Sequence, residues 1–183
     1  MIPTREQALE ILKEHNKETF HIKHAETVEG VMRYWASEIG EDPEYWGIVG
    51  LLHDLDFEKY PEQHCVKTQE MMRGLGIDEG LISSCVSHGY GLTGVGVSPE
   101  STMDKVLFAI DELTGIIGAA ALMRPSRSVE DMELKSLKKK FKSPAFAAGC
   151  SREVISKGAE MLGISIDELL QKTLDAMKSF WTP

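Results

Sequence analysis

Apolar residues in this chain recur at three- and four-residue spacing almost everywhere, and the two-residue alternation of a strand is nearly absent. Helix start and stop signals punctuate that pattern. Thr4-Arg5-Glu6-Gln7 fits a capping box ahead of Ala8, Leu9, Ile11 and Leu12. Phe20, Val28, Val31, Met32, Trp35 and Ile39 predict a helix over about 19–39, closed by Gly40 in a left-handed conformation. Asp42-Pro43 places a cap before a proline at the first helical position, and the helix it opens ends near His53-Asp54. Further helices are expected from Pro61 to about Leu75, from Asp78 to His88-Gly89, and from about Ser101 to Leu122, with Pro125 as a stop. Between the last two, GYGLTGVGVSPES is Gly-rich and reads as a loop. Ser128-Val129-Glu130-Asp131, Ser143-Pro144, Ser151 and Ser165-Ile166-Asp167-Glu168 each read as a helix start. The expectation is an all-α bundle in one domain.

At 183 residues the chain is long enough to bury a hydrophobic core. A net charge of -9 argues against general affinity for nucleic acid polymers or anionic lipid. The three cysteines, Cys65, Cys85 and Cys150, are widely spaced with no CxxC pair, and read as free thiols. The start, MIPTREQALEILKEHN, lacks the apolar core of a signal peptide, and no apolar run approaches the ~20 residues that cross a bilayer. The expected location is the cytoplasm.

The chemistry-bearing residues are histidines and aspartates. Six histidines stand at positions 15, 21, 24, 53, 64 and 88. His24 falls inside the second helix, His53-Asp54 ends the third, His64 begins the next and His88 ends the one after. Asp111 interrupts the apolar stretch VLFAIDEL of the long helix. It is either one position of an exposed stripe or a carboxylate that needs a partner or a metal once buried. Its neighbour Glu112 points elsewhere, because adjacent helical residues do not share a face. His21 reads as a packing or supporting residue and His15 as a surface one.

The order His24, His53-Asp54, Asp111 resembles the HD-domain superfamily of metal-dependent phosphohydrolases, of the HDIG type. HAETV is similar to its first-histidine motif, with Val28 four residues after the ligand. LLHDLD is similar to its histidine-aspartate doublet, and AIDEL to its final aspartate. The likeness spans about residues 20–120, with 124–183 as a C-terminal helical extension. It implies a divalent metal held by His24, His53, Asp54 and Asp111. EQHCVKTQEMM and CVSHGYG look like the two added histidine positions of the dinuclear members. They imply that Asp54 bridges and that His64 and His88 hold a second ion. Placed in the first turn of a helix, His64 is expected to be neutral, the form that binds metal. Ligand type alone does not choose among iron, manganese, zinc, magnesium and nickel.

Three departures matter. Where some HD enzymes continue the doublet with Ile-Gly-Lys, this chain has Leu55-Asp56-Phe57, which leaves the general acid unassigned. The paired histidines and GYP element of the cyclic-dinucleotide phosphodiesterases are replaced by Ser87-His88-Gly89-Tyr90-Gly91. Asp56 and Glu58 do not match the Glu-Asp spacing of the alarmone hydrolases.

LMRPSRSVEDMELKSLKKKFKSPAF is the cationic exception in an acidic chain. Lys135, Lys138, Lys139 and Lys142 share one helical face, opposite Leu134, Leu137 and Phe141. That face reads mostly as solvated. Arg124 and Arg127, with Lys139, are candidates to bind a small anionic phosphorylated substrate, since the guanidinium fork suits phosphate oxygens.

The resemblance implies hydrolysis of a small phosphate ester or nucleotide by metal-activated water, with Asp54 in the catalytic role. Two other readings share the fold. Some HD proteins with dinuclear iron are oxygenases, myo-inositol oxygenase among them. Others are non-catalytic regulatory modules, which often lack ligands that are all present here. Fold alone does not supply the substrate.

Overall fold

The computed structural model describes residues 1–181, and they are all-helical, as expected. Nine α-helices and one 3-10 turn are present among the described residues, and no strand. The chain forms two compact units, Met1–Leu107 and the residues from Phe108 onward. None of these helices is long and apolar enough to cross a membrane.

The first unit holds α1 (Arg5–His15), α2 (Thr19–Ile39), α3 (Pro43–Leu52), α4 (Val66–Gly74), α5 (Glu79–Ser87) and the start of α6 (Thr102–Leu122). Its helix ends follow the sequence signals closely. Thr4 and Gln7 make the reciprocal capping box of α1. Gly40 ends α2 at φ 76°, and Asp42 caps α3 with Pro43 at its first position. Asp78 accepts from the N–H groups of Gly80 and Leu81 at the start of α5.

α2 packs most extensively on α3, which also touches α1 and α5. The crossing of α2 and α3 is close because of Gly50. A Cβ there would lie 3.0 Å from Glu29 N and 3.1 Å from Glu29 Cα. Glu29 itself is a buried carboxylate on α2, held by Arg5 at 2.6 and 2.9 Å and by Arg33 at 2.9 Å. Val28, Val31, Met32, Val49, Leu51 and Leu52 are fully buried around this crossing. Each such side chain contributes about 1.5–3 kcal/mol on leaving water.

One helix differs from expectation. The segment after Pro61 is not a single helix to Leu75. A 3-10 turn (Pro61–Gln63) is followed by His64 in an extended conformation and Cys65 at φ 65°, and α4 starts only at Val66. The cause is Asp56, whose Oδ2 accepts from Thr68 N at 2.8 Å. A carboxylate from the preceding connection thus caps α4, and the helix begins where that cap reaches.

The second unit holds the rest of α6, α7 (Leu134–Phe141), α8 (Arg152–Leu162) and α9 (Ile166–Phe180). α9 packs on α7 and α8, and Ser165 and Glu168 form its capping box. Gly158 on α8 lets that helix approach α6, since a Cβ there would stand 2.5 Å from Ala109 Cα. Two expected helix starts are turns instead. Ser128 Oγ accepts from Glu130 N at 3.1 Å, a local turn, while Asp131 is engaged by Arg124 and Ser126 and caps nothing. After Ser143-Pro144 the chain folds around the Arg152 guanidinium, which donates to the carbonyls of Lys140, Phe141, Ser143, Phe146, Ala147 and Cys150. Carbonyls turned inward to one cation do not form a helical ladder.

The Gly50 contact predicts the response to a side chain there. Gly50→Val is expected to destabilise the protein by about 1–3 kcal/mol, because backbone rather than a movable side chain blocks the space. Chemical denaturation of both proteins measures it, and an unchanged midpoint would contradict the close crossing.

Candidate metal centre

α3 and α5 end in the same way. The residue after each helix is a histidine whose ring folds back on the carbonyl three residues earlier. His53 Nδ1 lies 2.7 Å from Gly50 O, and His88 Nδ1 lies 2.6 Å from Cys85 O. A carbonyl only accepts, so Nδ1 carries the proton in both rings. Each bond satisfies a helix-terminal carbonyl and directs Nε2 inward. His64 reaches the same state by another route, with Nδ1 2.8 Å from Oδ1 of the fully buried Asp56. Metal-binding histidines are commonly oriented this way, with the far N–H given to a carbonyl or carboxylate.

The Nε2 atoms converge on Asp54. His24 and His53 lie 3.6 and 3.4 Å from its Oδ2, and His64 and His88 each lie 3.3 Å from its Oδ1. The two carboxylate oxygens therefore face different pairs of imidazoles. His64 Nε2 and His88 Nε2 stand 3.0 Å apart. Donors sharing one ion at bonds of about 2.0–2.3 Å stand roughly 2.9–3.6 Å from one another, so these spacings suit a metal.

Within the first unit, two groups of side chains have ligand atoms within 4.8 Å of one another: His24, His53 and Asp54, and His64, Cys65 and His88. These residues can hold a metal ion. Asp111, half-buried, lies on the part of α6 that belongs to the second unit. Its neighbour Glu112 accepts instead from Ser151 N at 3.3 Å, as the opposite-face reading of that pair expects.

Asp54 is half-buried and ionised. Burial pushes its pKa up, but His53 and His88 outweigh that and hold it well below the usual carboxylate range. For His64, burial lowers the pKa, while Asp56, Cys65 and Asp54 raise it to about 9. This overturns the expectation of a neutral His64 stabilised by a helix N-terminus. His64 precedes α4 rather than entering it, and its immediate partner is a carboxylate. Burial raises the Cys65 thiol, but His88 and His64 bring it down to about 7.

Asp56 and Cys65 are the two residues at this site that sequence reasoning missed. Asp56 lies two residues past the doublet, a spacing that no helical face explains. Cys65 follows His64 directly, and adjacent residues normally diverge. The rest of the acidic connection has structural work. Glu58 accepts from the N–H groups of Lys17 and Glu18 at 2.9–3.0 Å at the start of α2. Lys59 Nζ lies 3.4 Å from both Glu14 O and His15 Nδ1, at the end of α1. His21 makes ring contacts with Phe20 and Phe57, and Phe57 in turn meets His64 edge-on.

The basic candidates lie in the second unit. Arg124 is bound by Asp131 through two nitrogens at 2.9 and 3.0 Å. Arg127 and Lys139 are exposed. Lys138 pairs with Asp167 at 2.6 Å, and Lys140 lies over the Phe146 ring.

Comparison of the chain with family models, with curated proteins and with solved structures finds no match.

The raised His64 pKa has a measurable consequence for the metal-free protein. Because the folded value lies above the ordinary value of about 6.5, its contribution to stability is fully present below that pH and is lost as pH rises through about 9. NMR of the imidazole ring should give a His64 midpoint near 9. Asp56→Asn should move it down toward the ordinary range. A midpoint at the ordinary value in the unmutated protein would remove the Asp56–His64 pairing from this account.

Proposed function

We infer that this protein is a metal-dependent hydrolase of small phosphate esters or nucleotides, of the HD-domain type. The observation that carries the reading is the division of labour at Asp54. One oxygen faces the Nε2 atoms of His24 and His53, the other those of His64 and His88, and the three Nδ1 atoms of His53, His64 and His88 are already engaged. A histidine whose Nδ1 donates offers a lone pair at Nε2. Several lone pairs and a carboxylate facing one space favour a cation there. His24, His53, Asp54 and Asp111 would hold one divalent ion, and His64 and His88 a second across Asp54.

When bound, such ions lower the pKa of a water and stabilise charge on phosphoryl oxygens. The chain's own residues do the rest. Asp54 would supply negative charge to an ion on either side, since its two oxygens face different pairs of imidazoles. Asp56, Gly50 and Cys85 hold the imidazoles in the tautomer that coordinates. Glu58 and Lys59, each bonded at a helix end, have structural roles, so neither is assigned as the general acid. Arg127 and Lys139 are exposed cations suited to attract an anionic substrate, and Arg124 joins them only by releasing Asp131.

The test is metal-reconstituted protein on a panel of phosphate monoesters, diesters and nucleotides. Hydrolysis, read as phosphate release from monoesters and as monoester formation from diesters, should depend on a divalent metal, stop with a chelator, and fall at least about 100-fold in Asp54→Ala. Dioxygen consumption without phosphoester hydrolysis would replace this reading with the di-iron oxygenase. Absence of metal uptake would leave a regulatory module.

Neutralising Arg124 and Arg127 together should raise KM for the best substrate with little change in kcat. An unchanged KM would remove both from substrate binding.

A further inference from the structure

Cys65 is fully buried and its backbone is left-handed, at φ 65° and ψ -29°. Few residues other than glycine adopt that conformation, and where one does the surroundings must hold it there. The geometry has a result that ordinary backbone does not give. In a strand or a helix, neighbouring side chains point apart. Here His64 and Cys65, adjacent in sequence, turn toward the same space, where the ligand atoms of His64, Cys65 and His88 all lie within 4.8 Å of one another.

The sulfur has room made for it. A Cβ on Gly89 would lie 2.6 Å from Cys65 Sγ, so no larger residue fits beside it without displacing the thiol. Cys65 Sγ stands 3.8 Å from His88 Nε2. A sulfur bonded at about 2.3 Å and a nitrogen at about 2.0–2.1 Å to one tetrahedral ion are separated by roughly 3.5 Å. His64 Nε2 and His88 Nε2 are 3.0 Å apart, and both are 3.3 Å from Asp54 Oδ1. The two nitrogens and the sulfur together make a three-donor set.

We propose that Cys65 joins His64 and His88 as a protein ligand of the ion they would hold, so that the two metal positions flanking Asp54 are chemically unlike. One is an all-nitrogen-and-oxygen position, suited to iron or manganese. The other contains a thiolate, which favours thiophilic ions such as zinc. The bond formed is metal–sulfur, and the thiol proton leaves to solvent as the ion enters. This rests on the metal-binding reading above and adds to it the inequality of the two positions.

X-ray absorption at the zinc edge on the unmutated, zinc-loaded protein tests it directly. A sulfur neighbour at about 2.3 Å is expected alongside the nitrogen and oxygen shell. Cobalt(II) loading should give a near-ultraviolet thiolate charge-transfer band that persists in Cys85→Ser and Cys150→Ser and vanishes in Cys65→Ser. Cys65→Ser should also bind zinc at the position facing His64 and His88 at least about tenfold less tightly. If metal binds with only nitrogen and oxygen neighbours and no charge-transfer band, Cys65 is not a ligand and the metal reading stands without it. If neither zinc nor cobalt binds, the metal reading itself falls and takes this inference with it. The unmutated protein decides the sulfur question even if a variant fails to fold, and a band lost in Cys85→Ser or Cys150→Ser rather than in Cys65→Ser would overturn the assignment.

Discussion

The bond from His53 Nδ1 to Gly50 O constrains more of this structure than any other single contact. It ends α3, fixes the imidazole tautomer and sets the direction of Nε2. It also ties the site to the packing of α3 on α2, because Gly50 lies directly against the Glu29 backbone. His24 on α2 and His53 at the end of α3 therefore depend on one glycine for their spacing. The end of α5 repeats the device with His88 and Cys85 O. Two helix C-termini, each with carbonyls that lack intrahelical partners, thus orient two imidazoles toward Asp54.

Asp56 solves the remaining placement. His64 lies on a connection, where no helix end is present to hold its ring. A fully buried carboxylate takes that role and at the same time caps α4 through Thr68 N. A buried carboxylate is costly unless its oxygens are satisfied, and here each oxygen has a partner. The arrangement couples folding to site formation: α4 begins at Val66 because Asp56 reaches Thr68, and His64 faces Asp54 because Asp56 holds its other nitrogen. Removing that carboxylate would loosen the His64 ring and a helix start together.

Much of this was legible in the sequence because helix boundaries are written in local chemistry. Thr4 with Gln7, Asp42 with Pro43, Asp78, and Ser165 with Glu168 each cap the helix they precede. The positions of His24, His53 and His88 on or at the ends of helices followed from those boundaries. What was not legible depends on contacts distant in sequence. Ser128 and Ser143 carry plausible start signals, but Arg124 claims Asp131 and Arg152 gathers the carbonyls after Phe141. The turn at Cys65 has no sequence signal at all, since cysteine does not favour a positive φ. It is imposed by Asp56 on one side and by buried neighbours such as Val86 and Val95 on the other.

The electrostatics of the cluster set its relation to pH. Four imidazole nitrogens around one carboxylate make a space that is rich in lone pairs, and a proton or a metal ion can each supply the positive charge it favours. In the metal-free protein the proton on His64 fills that role, which is why its pKa rises rather than falls despite burial. A metal entering at His64 and His88 would have to displace that proton and, if Cys65 joins, a second one from the thiol, so binding would release protons and apparent affinity would rise with pH.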